Sequence, residues 1–309
     1  MIEEYIIDVP QIEIENLNKK LELTRWADEI DDNDNWSDGT NLNFLKELCR
    51  YWQNDFDWRE QEKILNEIGS FKFHYDGGYI HFLHSQSNNP NAKNLILTHG
   101  WPGSIQEFIK VIKYLRDESN VDFNIVCPSL PGFGFSSKPK SRGTDSEAIA
   151  RLQNSLMIEL GYKKYIAQGG DWGATVSKWM ADLYPDNCIG LHLNLVIAFP
   201  PDKEPMQGVT EQEIKLLDNF EKYKTQGYGY YEIQKTKPQT IGYLLNDSPA
   251  GLAAWISEKF YGWFEDGNKD IVIGIDELLS IISLYWFTES GASSARPVSY
   301  THLTLPTKA

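Results

Sequence analysis

The 309-residue sequence predicts an α/β fold: a parallel sheet covered by helices on both faces, with a helical lid. Three observations predict it. Short, fully apolar runs ended by Gly or Pro alternate with helical segments between residues 95 and 196. Such runs are strands buried on both faces. Residues 202–297 are helically periodic, rich in Tyr and Trp, and poor in strand-like runs. At residues 165–174 a strand, a sharp glycine turn and a helix follow one another.

In chain order, residues 1–70 read as a helical meander. Ile12, Ile14, Leu17, Leu21 and Leu23 lie near helical spacing, and a second apolar stripe runs through 43–68, broken near Asp55. An Asp- and Asn-rich loop at 28–41 separates the two. The core is assigned to 71–199 with six strands. It opens with a hairpin at 71–83 that turns at Asp76-Gly-Gly78. Strands then fall at 95–98, 123–127, 165–168 and 190–196, and helices at 105–115, 145–160 and 174–183. The lid is assigned to 200–297, and residues 298–309 form a separate tail.

Composition removes several function classes. Hydrophobic residues make up 41% and charged residues 24%, too apolar for a disordered chain. A net charge of −15 argues against a nucleic-acid groove and against an anionic membrane surface. No run approaches the ~20 apolar residues that span a bilayer, and no basic segment precedes an apolar run at the N-terminus. The reading is a cytoplasmic protein without a membrane anchor. Cys49, Cys127 and Cys188 are few and far apart, as expected of reduced core thiols. No Cys/His spacing fits zinc, and Gly132-Phe-Gly134 lacks the rest of a dinucleotide fingerprint. No metal and no cofactor are expected. Homo-oligomer assembly is left open.

The chemistry concentrates in two motifs. Gly169-x-Asp171-x-Gly173 has the form of a nucleophile elbow with Asp where Ser is usual. The apex residue takes a strained backbone, only small neighbours leave room for it, and the helix start favours its negative charge. The alternative is that Asp171 merely caps the helix. The second motif, His99-Gly-Trp-Pro-Gly103, ends a buried strand in a glycine-rich turn. In α/β-hydrolases this loop gives one backbone N–H to an oxyanion hole, here that of Trp101, and the residue after the nucleophile, Trp172, gives the other. His99 and Pro102 are read as structural residues of the loop, with His99 orienting it and not serving as base.

Together these motifs resemble the microsomal-type epoxide hydrolases of the α/β-hydrolase superfamily. The resemblance runs from about residue 5 to 296. It includes Tyr51-Trp52 and Phe56-Asp-Trp58 in the meander. The core contributes Cys127-Pro-Ser-Leu-Pro-Gly-Phe-Gly-Phe-Ser136 and Gly190-Leu-His-Leu-Asn194. The lid contributes Gln234-Lys-Thr-Lys-Pro238 and Asn246-Asp-Ser-Pro-Ala-Gly-Leu-Ala-Ala254. It implies that Asp171 attacks an epoxide carbon to form an alkyl-enzyme ester. It implies lid tyrosines that protonate the ring oxygen, the first falling on Tyr230 with Tyr228 and Tyr231 as runners-up. Partners would be a small hydrophobic epoxide and water. The aromatic lid suits a bulky, apolar epoxide. The other readings are a haloalkane dehalogenase-like hydrolase and a non-catalytic small-ligand-binding relative.

The sequence departs from the family pattern near its end. The second tyrosine is expected at Val298, where the match stops. Residues 298–307 resemble one reading frame of a transposon-based sequencing adapter, so the chain reads as a 3′-truncated fragment. His74, His81, His84, His99 and His192 all precede the lid, and His302 lies in the tail. None matches the family's general base, whose acid partner is missing as well. The last core strands and helices are therefore expected to be absent and the chain as given to be inactive. Open sheet edges would expose apolar core and unpaired backbone.

Overall fold

The computed structural model describes residues 1–30, 36–196, 203–263 and 273–304, the stretch 298–304 as backbone only. Seven strands form one sheet: β1 (Ile2–Glu4), β2 (Ser70–Tyr75), β3 (Gly78–Ser85), β4 (Lys93–Thr98), β5 (Phe123–Pro128), β6 (Tyr165–Gly169) and β7 (Cys188–Leu193). Their order is β1-β2-β3-β5-β4-β6-β7. The stretch from β5 to β7 is parallel, whereas β1, β2 and β3 are antiparallel, so the sheet is mixed. The six expected core strands, β2 to β7, are all present. The hairpin turns at Asp76-Gly77, with Tyr75 paired to Gly78.

Alternation along the central strands fixes the layers. On β4, Leu95 and Leu97 join one buried cluster while Ile96 joins another. On β5, Ile125 and Cys127 divide from Val126 in the same way. Neighbouring side chains of a strand point to opposite faces, so the sheet is packed on both faces. The covering helices are α1 (Gln11–Glu22), α2 (Leu42–Asn54), α3 (Trp58–Ile68), α4 (Ile109–Asp117), α5 (Ser146–Glu159) and α6 (Trp172–Leu183). Local caps start several of them. Asn41 accepts from the Phe44 N–H, Asp57 from Arg59 and Asp145 from Ala148. The break expected near Asp55 is the gap between α2 and α3.

The lid comprises α7 (Glu211–Gln226), α8 (Gly229–Thr236), α9 (Pro238–Asp247), α10 (Pro249–Gly262), α11 (Ile275–Phe287) and α12 (Ser290–Thr304). The N-terminal segment braces it. The Trp52 indole donates to Ser283 Oγ at 2.8 Å, the Tyr51 hydroxyl to Asp276 Oδ1 at 3.0 Å, and Thr40 to the Ala254 carbonyl at 2.8 Å.

Two expectations change. Residues 1–70 are not wholly helical, because Ile2–Glu4 pair with Phe71–Phe73 and extend the sheet. Three residues carry too little periodicity to announce a strand, but β2 offers them an open ladder. The chain also does not break at residue 298: the α12 backbone continues to Thr304 with Pro297 inside it. Extending a formed helix costs far less than nucleating one. Residues 305–309 lie outside the described residues.

All three cysteines are free and buried. Among the described residues, no helix is long and apolar enough to cross a membrane. Among the described strands, β7 pairs only with β6, and its Ile189 and Leu191 are 57% and 42% exposed.

One buried carboxylate ties the N-terminus to the core. Glu62 accepts from the Val9 N–H at 2.6 Å, the Trp58 indole at 2.8 Å and the Arg59 guanidinium at 2.6 Å. Glu62→Ala strands two buried donors, each costing about 1–3 kcal/mol. The expected loss is about 3 kcal/mol in urea unfolding; a change within about 0.5 kcal/mol, as for a bland surface site, would contradict the assigned role.

Candidate active site

The site forms where β4 and β6 end side by side. Thr98 pairs with Gly169, so the loop after β4 and the turn after β6 emerge together. Asp171 stands between β6 and α6 at φ 50°, ψ −126°. A side-chain-bearing residue there costs about 1–3 kcal/mol of backbone strain. The flanking glycines are demanded by close approach. A Cβ on Gly173 would lie 1.9 Å from the Thr98 carbonyl oxygen, and one on Gly169 would lie 2.0 Å from the Gly173 oxygen.

Asp171 occupies the N-cap position of α6 but makes no capping bond. Its Oδ1 instead accepts from the Trp101 backbone N–H at 2.8 Å, and the Trp172 N–H also bonds to the carboxylate. This decides the geometry in favour of the elbow over the cap. Burial raises the Asp171 pKa above the ordinary carboxylate value, and the two N–H groups pull it partly back.

The loop that brings Trp101 to Asp171 is held by His99. Its Nε2 accepts from the Leu130 N–H at 3.1 Å and its Nδ1 donates to the Gly100 carbonyl at 2.9 Å. Burial lowers its pKa to about 4, so it stays neutral at pH 7. Both ring nitrogens are committed, as befits a residue that orients the turn. Pro102 is buried after a cis Trp101–Pro102 peptide bond. The Tyr285 hydroxyl of α11 donates to the Gly103 carbonyl at 2.8 Å. Gly100 cannot carry a side chain, since a Cβ would sit 2.2 Å from Asp171 Oδ1.

The lid closes over this loop with aromatic rings. Tyr230 of α8 stacks on Trp101 with centroids 5.1 Å apart and planes 9° apart, and meets the Trp263 ring edge at 5.4 Å. Burial pushes its phenol well above 10, with Tyr223 and the Asp171 charge adding to the rise. Tyr228 and Tyr231 pack on each other at 4.5 Å, with Tyr228 pushed up to about 12 by burial. The sequence reading misses Tyr223 of α7, which hydrogen-bonds with Tyr230. Its signal is weak because it lies in a different helix from the matched segment. The buried Lys259 ammonium lies 4.4 Å from the Tyr230 ring centroid. A cavity of about 1190 Å³ between the N-terminal segment and the lid reaches Tyr230, Trp255 and Lys259, but not Asp171.

Among the described residues, no histidine side chain hydrogen-bonds to Asp171. His81 bonds to Ser70 and Ser129, His84 to Tyr162, and His74 to Glu3, while His192 lies exposed on β7. The side chain of His302 lies outside the described residues.

Known proteins share this architecture. The family described as "Epoxide hydrolase N terminus" matches residues 2–108, and "alpha/beta hydrolase fold" matches residues 93–226. A Stigmatella aurantiaca protein named for epoxide hydrolysis is 44% identical over 297 residues, covering 94% of this chain and 67% of its own. Epoxide hydrolase 1 of Sus scrofa is 38% identical, covering 96% and 71%. The chain belongs to the epoxide hydrolase family. The juvenile hormone epoxide hydrolase structure from the silkworm Bombyx mori superposes with a TM-score of 0.88 at 31% identity, covering 97% of this chain and 77% of that one. Membership in the epoxide hydrolase family disfavours the dehalogenase-like reading.

The Asp171 environment has a titration signature. Its carboxyl is expected to titrate above 3.8, because burial outweighs the two N–H bonds. Gly100→Ala displaces the carboxylate from the Trp101 N–H and is expected to raise the midpoint further. Carbon NMR of labelled aspartate checks both; a midpoint at or below 3.8 would contradict this description.

Proposed function

We propose that the chain converts epoxides to vicinal diols through a covalent ester on Asp171. The observation that carries this reading is the Asp171 carboxylate at the elbow apex, held by the Trp101 N–H directly beside the Trp101–Tyr230 stack. One carboxylate oxygen attacks an epoxide carbon and the C–O bond of the ring breaks. Tyr230 gives its proton to the leaving oxygen. A phenol that burial keeps neutral is a fitting acid for an alkoxide. Water then adds to the ester carbonyl, whose oxyanion is stabilised by the Trp101 and Trp172 N–H groups. The diol leaves, Asp171 is left as the acid, and its proton returns to the Tyr230 phenolate, which restores the carboxylate and the neutral phenol. Hydrolysis consumes only water besides the epoxide.

The walls favour an apolar substrate. Trp101, Tyr230 and Trp263 present aromatic faces and edges to one another, which suits an aryl or long-chain alkyl epoxide. Since no described histidine bonds to Asp171, ester hydrolysis is the slow half-reaction of the chain as given. The alkyl-enzyme accumulates and steady-state turnover is weak. That same observation favours one second reading, a relative that binds an apolar ligand without reacting.

Mixing the chain with styrene oxide and recording intact mass tests the reading. One epoxide adduct is expected, mapped to Asp171 by peptide analysis and absent from Asp171→Asn. Tyr230→Phe is expected to slow adduct formation by about 100-fold. The rate falls as the pH is lowered through the raised Asp171 pKa, because only the carboxylate attacks. Saturable styrene oxide binding without any adduct would overturn the covalent reading and leave the binding one.

A further inference from the structure

A buried cation lies over the Tyr230 ring. Lys259 sits on α10, one turn after Trp255, so the two side chains leave the same helix face. A lysine stem is long enough to carry its ammonium to water, yet the Lys259 side chain is only 5% exposed. Its Nζ lies 4.4 Å from the centroid of the Tyr230 ring and 6.0 Å from that of Trp255. Its ion-pair partner is the adjacent Glu258, whose own side chain is 32% exposed. Lys259 and Tyr230 line the same cavity. Burying an ammonium is costly, and neither the sheet nor the N-terminal helices draw on this one through any described bond. Trp101 stacks on the same ring with planes 9° apart, so an indole and an ammonium together fix it.

We propose that Lys259 is a positioning residue for ring opening: its ammonium holds the Tyr230 ring and balances the phenolate charge left when Tyr230 gives up its proton. The inference rests on reading Tyr230 as the acid. Ring opening moves a charge. As an Asp171 oxygen bonds to the epoxide carbon, the carbon–oxygen bond of the ring breaks, and the freed electron pair takes the Tyr230 proton. Asp171 becomes a neutral ester and Tyr230 a phenolate. That charge persists until the Asp171 acid, freed by hydrolysis, returns the proton. Burial disfavours a phenolate at Tyr230. A cation over an aromatic face gains most in a desolvated site, and more over an anionic ring than over a neutral one. The ammonium therefore favours the state after proton transfer over the state before it.

The other charged and titratable groups around Tyr230 do not supply this balance. Asp171 opposes a phenolate there until esterification removes its charge, and Tyr223 and Tyr228 oppose it as well. Glu258 is negative and partly open to water. Lys235 of α8 is paired with Glu232 and lies 5.6 Å from the Tyr231 ring centroid.

The test measures formation of the styrene oxide adduct by intact mass in a single turnover. Lys259→Met keeps an unbranched stem and removes the charge. It is expected to slow adduct formation about 10-fold. Glu258→Gln breaks the same ion pair from the other side but leaves the ammonium, and is expected to react at least as fast as the unaltered chain. A purely structural ion pair predicts equal slowing from both sides. In a Tyr230→Phe background, Lys259→Met is expected to have no further effect. An unchanged rate in Lys259→Met, or further slowing in the Tyr230→Phe background, would overturn the inference. A slowed Glu258→Gln would overturn it too, even if Lys259→Met failed to fold. If Tyr230→Phe itself formed the adduct at the unaltered rate, the acid reading would fall and this inference with it. Slowing in Tyr230→Phe but not in Lys259→Met would overturn the inference and leave the acid reading standing.

Discussion

The hydrogen bond from the Trp101 N–H to Asp171 Oδ1 joins two loops that the chain separates by 70 residues. Everything at the site depends on it. It exists because β4 and β6 are neighbours in register, which sets Thr98 beside Gly169. It is short because Gly100 and Gly173 carry no side chains where the two loops meet. A strained apex residue persists only when its surroundings over-determine it, and here the neighbouring strand, the following helix and the N–H donor all do so. The same bond orients Trp101, whose ring is the platform for Tyr230. One contact therefore links the Asp171 carboxylate, the Trp101 backbone N–H and the Tyr230 ring.

Burial sets the electrostatics of this geometry. Burial raises the pKa of Asp171 and Glu107 alike, and the Asp171 charge raises that of Glu107 further. Burial keeps the phenol of Tyr230 neutral. The buried Lys259 over its ring adds a cation to the opposite wall without touching Asp171 through any described bond.

The layers and the elbow were legible in the sequence because their signals are local. The alternation at 95–97 and 125–127, the Gly169-x-Asp171-x-Gly173 spacing and the turn after Thr98 each fit within ten residues. His99 is expected from the sequence to orient the loop, and both of its ring nitrogens are hydrogen-bonded. The rest arises from distance. β1 is three residues long and exists because β2 has an open edge. Tyr223 gains meaning only when α7 lies beside α8. Glu62 looks like a surface acid until Val9 and Trp58 arrive at its carboxylate. Glu107 follows the glycine turn by four residues, but its carboxylate can lie against that turn only because Gly103 carries no side chain. At 298, where the sequence match stops, the α12 backbone continues to Thr304.

The central claim is that the oxygen added to the epoxide comes from Asp171 and not directly from water. A single turnover in heavy-oxygen water, with enzyme in excess over styrene oxide, separates the two. The account predicts that the first diol carries no solvent oxygen and that one heavy oxygen atom appears in the peptide bearing Asp171. Heavy oxygen in the first diol, with the Asp171 peptide unlabelled, would contradict it.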